Sequence, residues 1–276
     1  MKNIRLFKPC VGDDELAAVK DVIDRSWLGL GPKVKEFEDA WSDYLGCDGA
    51  SVALNSATAA LHLALNVYDF PEDSEVLVPN ITFVSTAHSV LYNKLRPVFV
   101  DVDKSTLTIC PDDILRKITD KTVAIIPVHL GGQPCDMNRI LEIAGLHDLK
   151  VIEDCANCTG GSYQGKKLGT IGDIGCYSFE EKKNMTTGDG GMIFSSDITL
   201  VEKIKKTRWC GIDRDTWKRL RNQSVTEDDP YHWYYEVAEL GYKYNMNDLA
   251  ASIGLVQLKK LDWMNDRRAK LIQTYI

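Results

Sequence analysis

Between Gly175 and Ile193 the chain reads Gly-Cys-Tyr-Ser-Phe-Glu-Glu-Lys-Lys-Asn-Met-Thr-Thr-Gly-Asp-Gly-Gly-Met-Ile. The pattern predicts a short buried strand, a loop carrying Lys182 and Lys183, a Gly-Asp-Gly-Gly turn and a second strand at Met192–Phe194. A lysine at the edge of a sheet, five residues after the hydroxyl of Ser178, suits an amine that forms a Schiff base with a carbonyl. Such an amine attacks only in its neutral form, which partial desolvation makes accessible near neutral pH. The chemistry this stretch points to is that of pyridoxal phosphate.

Three more segments supply what such a site needs. Val151-Ile-Glu-Asp154 reads as a buried strand ending in carboxylates. A pyridine nitrogen kept protonated by an anion makes the ring an electron sink, and Asp154 is the expected partner. Glu153, one residue earlier, should point to the opposite face of the strand. Taken alone, the pair could equally be strand-end acids facing water. Asn55-Ser-Ala-Thr58 precedes the apolar helix pattern Ala59–Leu65. The hydroxyls and free N–H groups there suit a phosphate, although a plain N-cap by Ser56 or Thr58 reads the same way. Phe83 follows the apolar run Val76-Leu-Val-Pro79 and is placed either to stack on a pyridine ring or to fill a core. Ser178 is a second phosphate donor or simply a strand hydroxyl.

The elements that position these residues alternate. Helices are expected over Asp13–Trp27 and, after Gly29-Leu-Gly-Pro32, as far as Tyr44. Strand candidates at 51–54, 75–78, 97–100, 123–128 and 150–152 are separated by helices at 57–67, 84–92, 114–118 and 137–144, the last stopped by Gly145. This alternation implies an α/β three-layer sandwich around a mainly parallel sheet, with the active site at the carboxyl ends of the strands. Lys203, Lys205, Lys206 and Arg208 read as the solvated face of a helix. A polar, aromatic-laced loop from Asp213 to Tyr235 follows, then a final helical pattern from Leu249 onward. That pattern is still running at Ile276, so a small C-terminal domain is expected to be largely missing. The expected division is a large cofactor-binding domain over 1–245 and the start of the helix into a truncated domain over 246–276.

A net charge of −7 argues against nucleic acid or an anionic membrane as partner. No apolar run reaches membrane-spanning length and the polar start is not that of a signal peptide, so the expected location is cytoplasmic. Eight cysteines scattered through apparent core segments fit reduced thiols acting as small hydrophobes. Cys155-Ala-Asn-Cys158 is formally a C-x-x-C, but no second pair completes a zinc set, and no metal is expected.

Taken together, these segments identify a family. The chain resembles the PLP-dependent sugar aminotransferases of the DegT/DnrJ/StrS type, which have the fold-type-I, aspartate-aminotransferase-like architecture. The matching stretches include Gly31-Pro-x-Val-x-x-Phe-Glu38, Asn55-Ser-Ala-Thr-Ala-Ala-Leu-His-Leu-Ala-Leu65, Thr82-Phe-Val-Ser-Thr86, Val128-His-Leu-Gly-Gly-Gln-Pro134 and Glu153-Asp-Cys-Ala156. Ser178-Phe-x-x-x-Lys-Asn-x-Thr-Thr-Gly-Asp-Gly-Gly191 and Leu240-Gly-Tyr-Lys-Tyr-Asn-Met-Asn-Asp248 complete the set. The resemblance assigns the Schiff-base role to Lys183 rather than Lys182, the pyridine-nitrogen contact to Asp154 and ring stacking to Phe83. Ser56, Ala57, Thr58 and Ser178 match the phosphate cradle, with Ala57 where relatives usually carry Gly. Asn157 stands where they carry His or Gln near the ring hydroxyl. Lys243 replaces an Asn that reaches the phosphate in the neighbouring subunit, which implies a homodimer with shared sites. The implied activity is transamination, with glutamate as donor and a nucleotide-linked keto-deoxy sugar, 4-keto by preference, as acceptor, in amino-sugar and polysaccharide biosynthesis. Two other readings follow from the same residues: a regulatory or degenerate PLP-binding protein, and a thiol-redox protein built on Cys155 and Cys158. A sugar dehydratase on this scaffold would carry histidine in place of Lys183.

Overall fold

In the computed structural model, which describes residues 7–213 and 235–275, seven strands form one sheet in the order β1-β9-β8-β5-β4-β2-β3. These are β1 (Ala50–Leu54), β2 (Glu75–Pro79), β3 (Arg96–Val100), β4 (Thr122–Ile125), β5 (Lys150–Asp154), β8 (Ile174–Ser178) and β9 (Gly191–Ser195). Neighbours from β3 through β8 run parallel, and β9 runs antiparallel to both β8 and β1. A two-stranded ribbon, β6 (Ser162–Tyr163) with β7 (Lys166–Lys167), lies apart from the sheet.

The helices are α1 (Asp13–Asp24), α2 (Pro32–Leu45), α3 (Ala57–Asn66), α4 (Ser85–Tyr92), α5 (Pro111–Lys117), α6 (Met137–His147), α7 (Ile198–Thr207) and α8 (Asp248–Ile272). The two-residue period of the strands sorts their side chains into layers. Val52, Leu54, Val76, Val78 and Ile193 face α3 and α7, whereas Ala53, Met192 and Phe194 face α2 and α8. Leu77, Ile125 and Val151 pack on α5 and α6. Helix α3 is buried from Ala59 to Leu65 and apolar there except for His62, as befits a helix enclosed by its neighbours. The three-layer sandwich expected from the sequence is the fold observed.

Three local expectations need correction. Helix α6 does not stop at Gly145 but runs to His147 and ends on Asp148, which takes the left-handed conformation itself at φ 53°. Arg208 is not solvated. It follows α7 into the core, 2% exposed, and donates to the Ala53 carbonyl (2.8 Å) and to the Glu38 carboxylate. All eight cysteines are unpaired, but Cys10, Cys47 and Cys210 are exposed rather than core residues. Most of the loop expected over Asp213–Tyr235 lies outside the described residues.

Candidate functional site

Four strand ends converge on one cleft of about 510 Å³ lined by Ser56, Ala57, Thr58, Phe83, Asp154, Asn157, Ser178 and Lys183. Eight of the nine residues singled out from the sequence therefore meet in one place, as the carboxyl-edge rule requires.

The Lys183 loop is short and pinned at its base. After β8 the chain passes Phe179, fully buried against Phe37 and Trp41. The Phe179 N–H donates to the Gly190 carbonyl and its own carbonyl accepts from Thr187 N–H, both at 2.9 Å. Met185, Thr186 and Thr187 are buried, so the loop projects only its tip into the cleft. Lys183 Nζ donates to Asn157 Oδ1 at 3.3 Å. Asn157 is thus placed against the lysine, a contact the sequence did not indicate. Lys182 also lines the cleft, but its ammonium lies over the Phe7 ring, 5.3 Å from the centroid.

Asp154 ends β5 at 4% exposure. One carboxylate oxygen accepts from Ala156 N–H (3.1 Å) and the other from the Thr86 hydroxyl (2.9 Å). Burial pushes this carboxyl above the ordinary range, opposed by those two donors and by the nearby Lys183 ammonium. Glu153 points away from the cleft, as strand alternation demands. It accepts from the N–H groups of Gly169 (2.9 Å), Ile171 (2.7 Å) and Gly172 (2.7 Å). Its fourth partner is His129, whose Nδ1 accepts from Cys135 N–H (3.1 Å), which puts the imidazole proton on Nε2, 3.0 Å from Glu153. His129, Glu153 and Cys155 bring ligand atoms within 4.8 Å of one another, but both imidazole nitrogens and both carboxylate oxygens are committed to these bonds.

At the end of β1, Ser56 is the N-cap of α3, accepting from Ala59 N–H at 3.1 Å. The first-turn N–H groups of Ala57 and Thr58 have no intrahelical partner and form, with the Thr58 and Ser178 side chains, an anion-binding edge. Gly191 seats this edge. It lies between Leu54 and Ser178 in the sheet, and a Cβ there would come within 2.4 Å of the Ser56 carbonyl group. Phe83 stands at the rim, 71% exposed. Lys243 is the one selected residue the chain does not bring to its own cleft. Its ammonium lies 3.1 Å from the Trp209 ring centroid, and desolvation holds its pKa below the ordinary lysine range.

Residues 9–276 match the sequence model of the DegT/DnrJ/EryC1/StrS aminotransferase family. The chain belongs to that family. An uncharacterized protein of Methanocaldococcus jannaschii is 45% identical over 269 residues, which cover 98% of this chain and 68% of that one. The spore coat polysaccharide biosynthesis protein SpsC of Bacillus subtilis is 40% identical over 267 residues, 97% of this chain and 67% of its own. Spr1654 of Streptococcus pneumoniae, solved in its PLP form, superposes with a TM-score of 0.89 at 30% identity, covering 99% of this chain and 70% of that chain. As a member of the family this protein is a PLP-dependent sugar aminotransferase. The cleft fits the cofactor: a buried acid, a lysine tip, and an anion edge whose backbone packs so closely on Gly191 that a side chain there would displace it. The residues that sequence reasoning missed are Thr82 and Thr86, hydroxyls in a stretch where Phe83 drew the attention, and His129, quoted only as part of a motif.

Proposed function

We propose that this chain transfers the amino group of glutamate to a nucleotide-linked 4-keto-deoxy sugar, as a cytoplasmic homodimer with shared active sites. The observation that carries the reading is the meeting of Lys183, Asp154 and the Ser56–Thr58 edge on one cleft. When bound, pyridoxal phosphate supplies an electron sink. Asp154 would hold the proton on the ring nitrogen, and the Ala57 and Thr58 N–H groups with Ser178 would bind the phosphate. Phe83 would cover one face of the ring and exclude water from it. Lys183 Nζ would be the amine that holds the cofactor and, when free, the base that would take a proton from the substrate and return it. Asn157 would orient that ammonium.

The 4-keto preference rests on the likeness of the Gly211-Ile-Asp-Arg-Asp-x-Trp217 and Gly241-Tyr-Lys-Tyr-Asn245 segments to those of 4-amino-sugar synthases. Unpaired cysteines throughout support a reducing compartment. Phe83, Val84, Leu91 and Tyr92 expose an apolar surface beside the cleft, which supports burial against a second copy. In that arrangement Lys243 would leave Trp209 for the partner's phosphate.

The test begins with the visible absorbance of the protein with added PLP, before and after borohydride, for wild type and Lys183→Ala. A band that borohydride converts to a stable adduct in wild type alone is the expected result. A band unchanged by the substitution overturns the site. Wild type is then supplied with glutamate and keto-sugar nucleotides. Formation of 2-oxoglutarate only with 3-keto acceptors would overturn the 4-keto assignment. Sharing is tested by mixing inactive Lys183→Ala and Lys243→Ala subunits, where activity should reappear in mixed dimers.

A further inference from the structure

We propose that Thr82 and Thr86 form a positioning relay that aims Asp154 at the cofactor's ring nitrogen and locks it to the loop bearing Phe83. This rests on the cofactor placement proposed above. Asp154 Oδ2 lies 2.9 Å from Thr86 Oγ1, which lies 2.8 Å from Thr82 Oγ1. A carboxylate can only accept, so the Thr86 proton goes to Asp154 and Thr82 must donate its own proton to Thr86. The chain of hydroxyls therefore has a direction, ending on the carboxylate. Thr86 is fully buried in the first turn of α4, while Thr82 is half-buried and lines the cleft.

The relay joins residues 68 positions apart in the chain by one hydrogen bond. It gives the segment 82–86 two jobs, because Phe83 stands between the two threonines. The face that covers the ring and the acid that meets its nitrogen are held by one loop, so neither can shift without the other. Ala156 N–H grips the other carboxylate oxygen at 3.1 Å, leaving the acid little rotation. Other ionisable groups beside Asp154 are Lys183 in the cleft, His129 and Glu153 behind it, and the fully buried thiols of Cys155 and Cys176. Among the described residues the Thr86 hydroxyl is its one side-chain hydrogen-bond donor. Burial favours protonation of Asp154, and a protonated acid would lose its value as the anionic partner of a ring N–H.

The test uses the chain of residues 1–276 in two arms. In the first, without cofactor, the Asp154 carboxyl is followed by ¹³C NMR from pH 3 to 8, assigned by difference with Asp154→Asn. Thr86→Val should raise its titration midpoint by about one pH unit or more, and Thr86→Ser should restore it. In the second, PLP affinity is read by absorbance titration. Thr86→Val should weaken it about tenfold, and Thr86→Ser should stay within about twofold of wild type. An unchanged midpoint in a folded Thr86→Val protein, or a serine variant as impaired as the valine, overturns the relay. If Thr86→Val does not fold, Thr82→Val takes its place, and a smaller shift in the same direction is required. Wild type that binds no PLP sinks the cofactor placement, while the first arm still decides the relay.

Discussion

Glu153→Gln removes a single charge and almost no volume, yet it should be among the most damaging substitutions in the chain. One carboxylate oxygen accepts from Ile171 and Gly172 N–H, both at 2.7 Å, and the other from Gly169 N–H and His129 Nε2–H at 2.9 and 3.0 Å. Every partner is a donor, and Glu153 is fully buried. A glutamine keeps one acceptor and replaces the other by NH₂. Whichever way the amide sits, two donors then face a donor. Hydrogen bonds to a charged acceptor contribute about 1.5–3 kcal/mol each, so losing two costs about 3–6 kcal/mol. That is a large part of the roughly 5–15 kcal/mol that holds a typical protein folded. For a chain of this size it corresponds to a fall in Tm of roughly 5–10 °C. Circular-dichroism melts of wild type and variant, at two scan rates, measure it. A fall below about 3 °C would mean the four contacts are not made together, and the account of the Gly169–Gly172 loop would be wrong.

Gly191→Ala places a Cβ 2.4 Å from the Ser56 carbonyl group, so the phosphate edge must shift. Overpacking of that kind costs about 1–3 kcal/mol, and PLP affinity by absorbance titration should fall with stability. Arg208→Met leaves the Glu38 carboxylate buried with Ala53 N–H (2.9 Å) as its remaining partner, and urea denaturation should report a loss of about 3–5 kcal/mol. His62 is buried with Nε2 unpartnered, and desolvation holds its pKa below the ordinary 6.5. The unfolded chain therefore takes up this proton first, and stability should decline as pH falls from 6.5 toward the folded value. Urea midpoints between pH 7.5 and 5 should show a shallower slope in His62→Gln than in wild type.

The layers of the fold were legible because period-2 strands and period-3.6 helices announce themselves locally; Asp154 and the adjacent Lys182 and Lys183 stood out as charges beside apolar strand ends, and the family resemblance chose Lys183. What escaped depends on partners distant in the chain. Arg208 sits in a run of lysines and reads as one of them, but its counter-charge is Glu38, 170 residues earlier. Gly145 reads as a helix stop, yet Asp148 tolerates the left-handed turn and lets α6 add the turn that carries His147. Thr86 is an ordinary helix-start threonine until β5 brings Asp154 beside it. The antiparallel insertion of β9 had no local signature either, since a buried strand reads the same in both directions.

That insertion sets the order in which the molecule can be finished. Among the named strands β1 pairs with β9 alone, apart from one bridge from Leu54 to Asn245, so the strand leading into Ser56–Thr58 gains no strand partner until residues 191–195 have been synthesised. At roughly 5–20 residues per second, ribosomal synthesis of the intervening chain takes on the order of ten seconds. During that interval β2 to β5 can assemble through their own helical crossovers, while β1 remains an open edge. Competence to hold the cofactor thus arrives late and all at once, when β9 slides between its two neighbours. A nascent chain arrested before Gly191 would already carry Lys183 and Asp154 and still have nowhere to seat a phosphate.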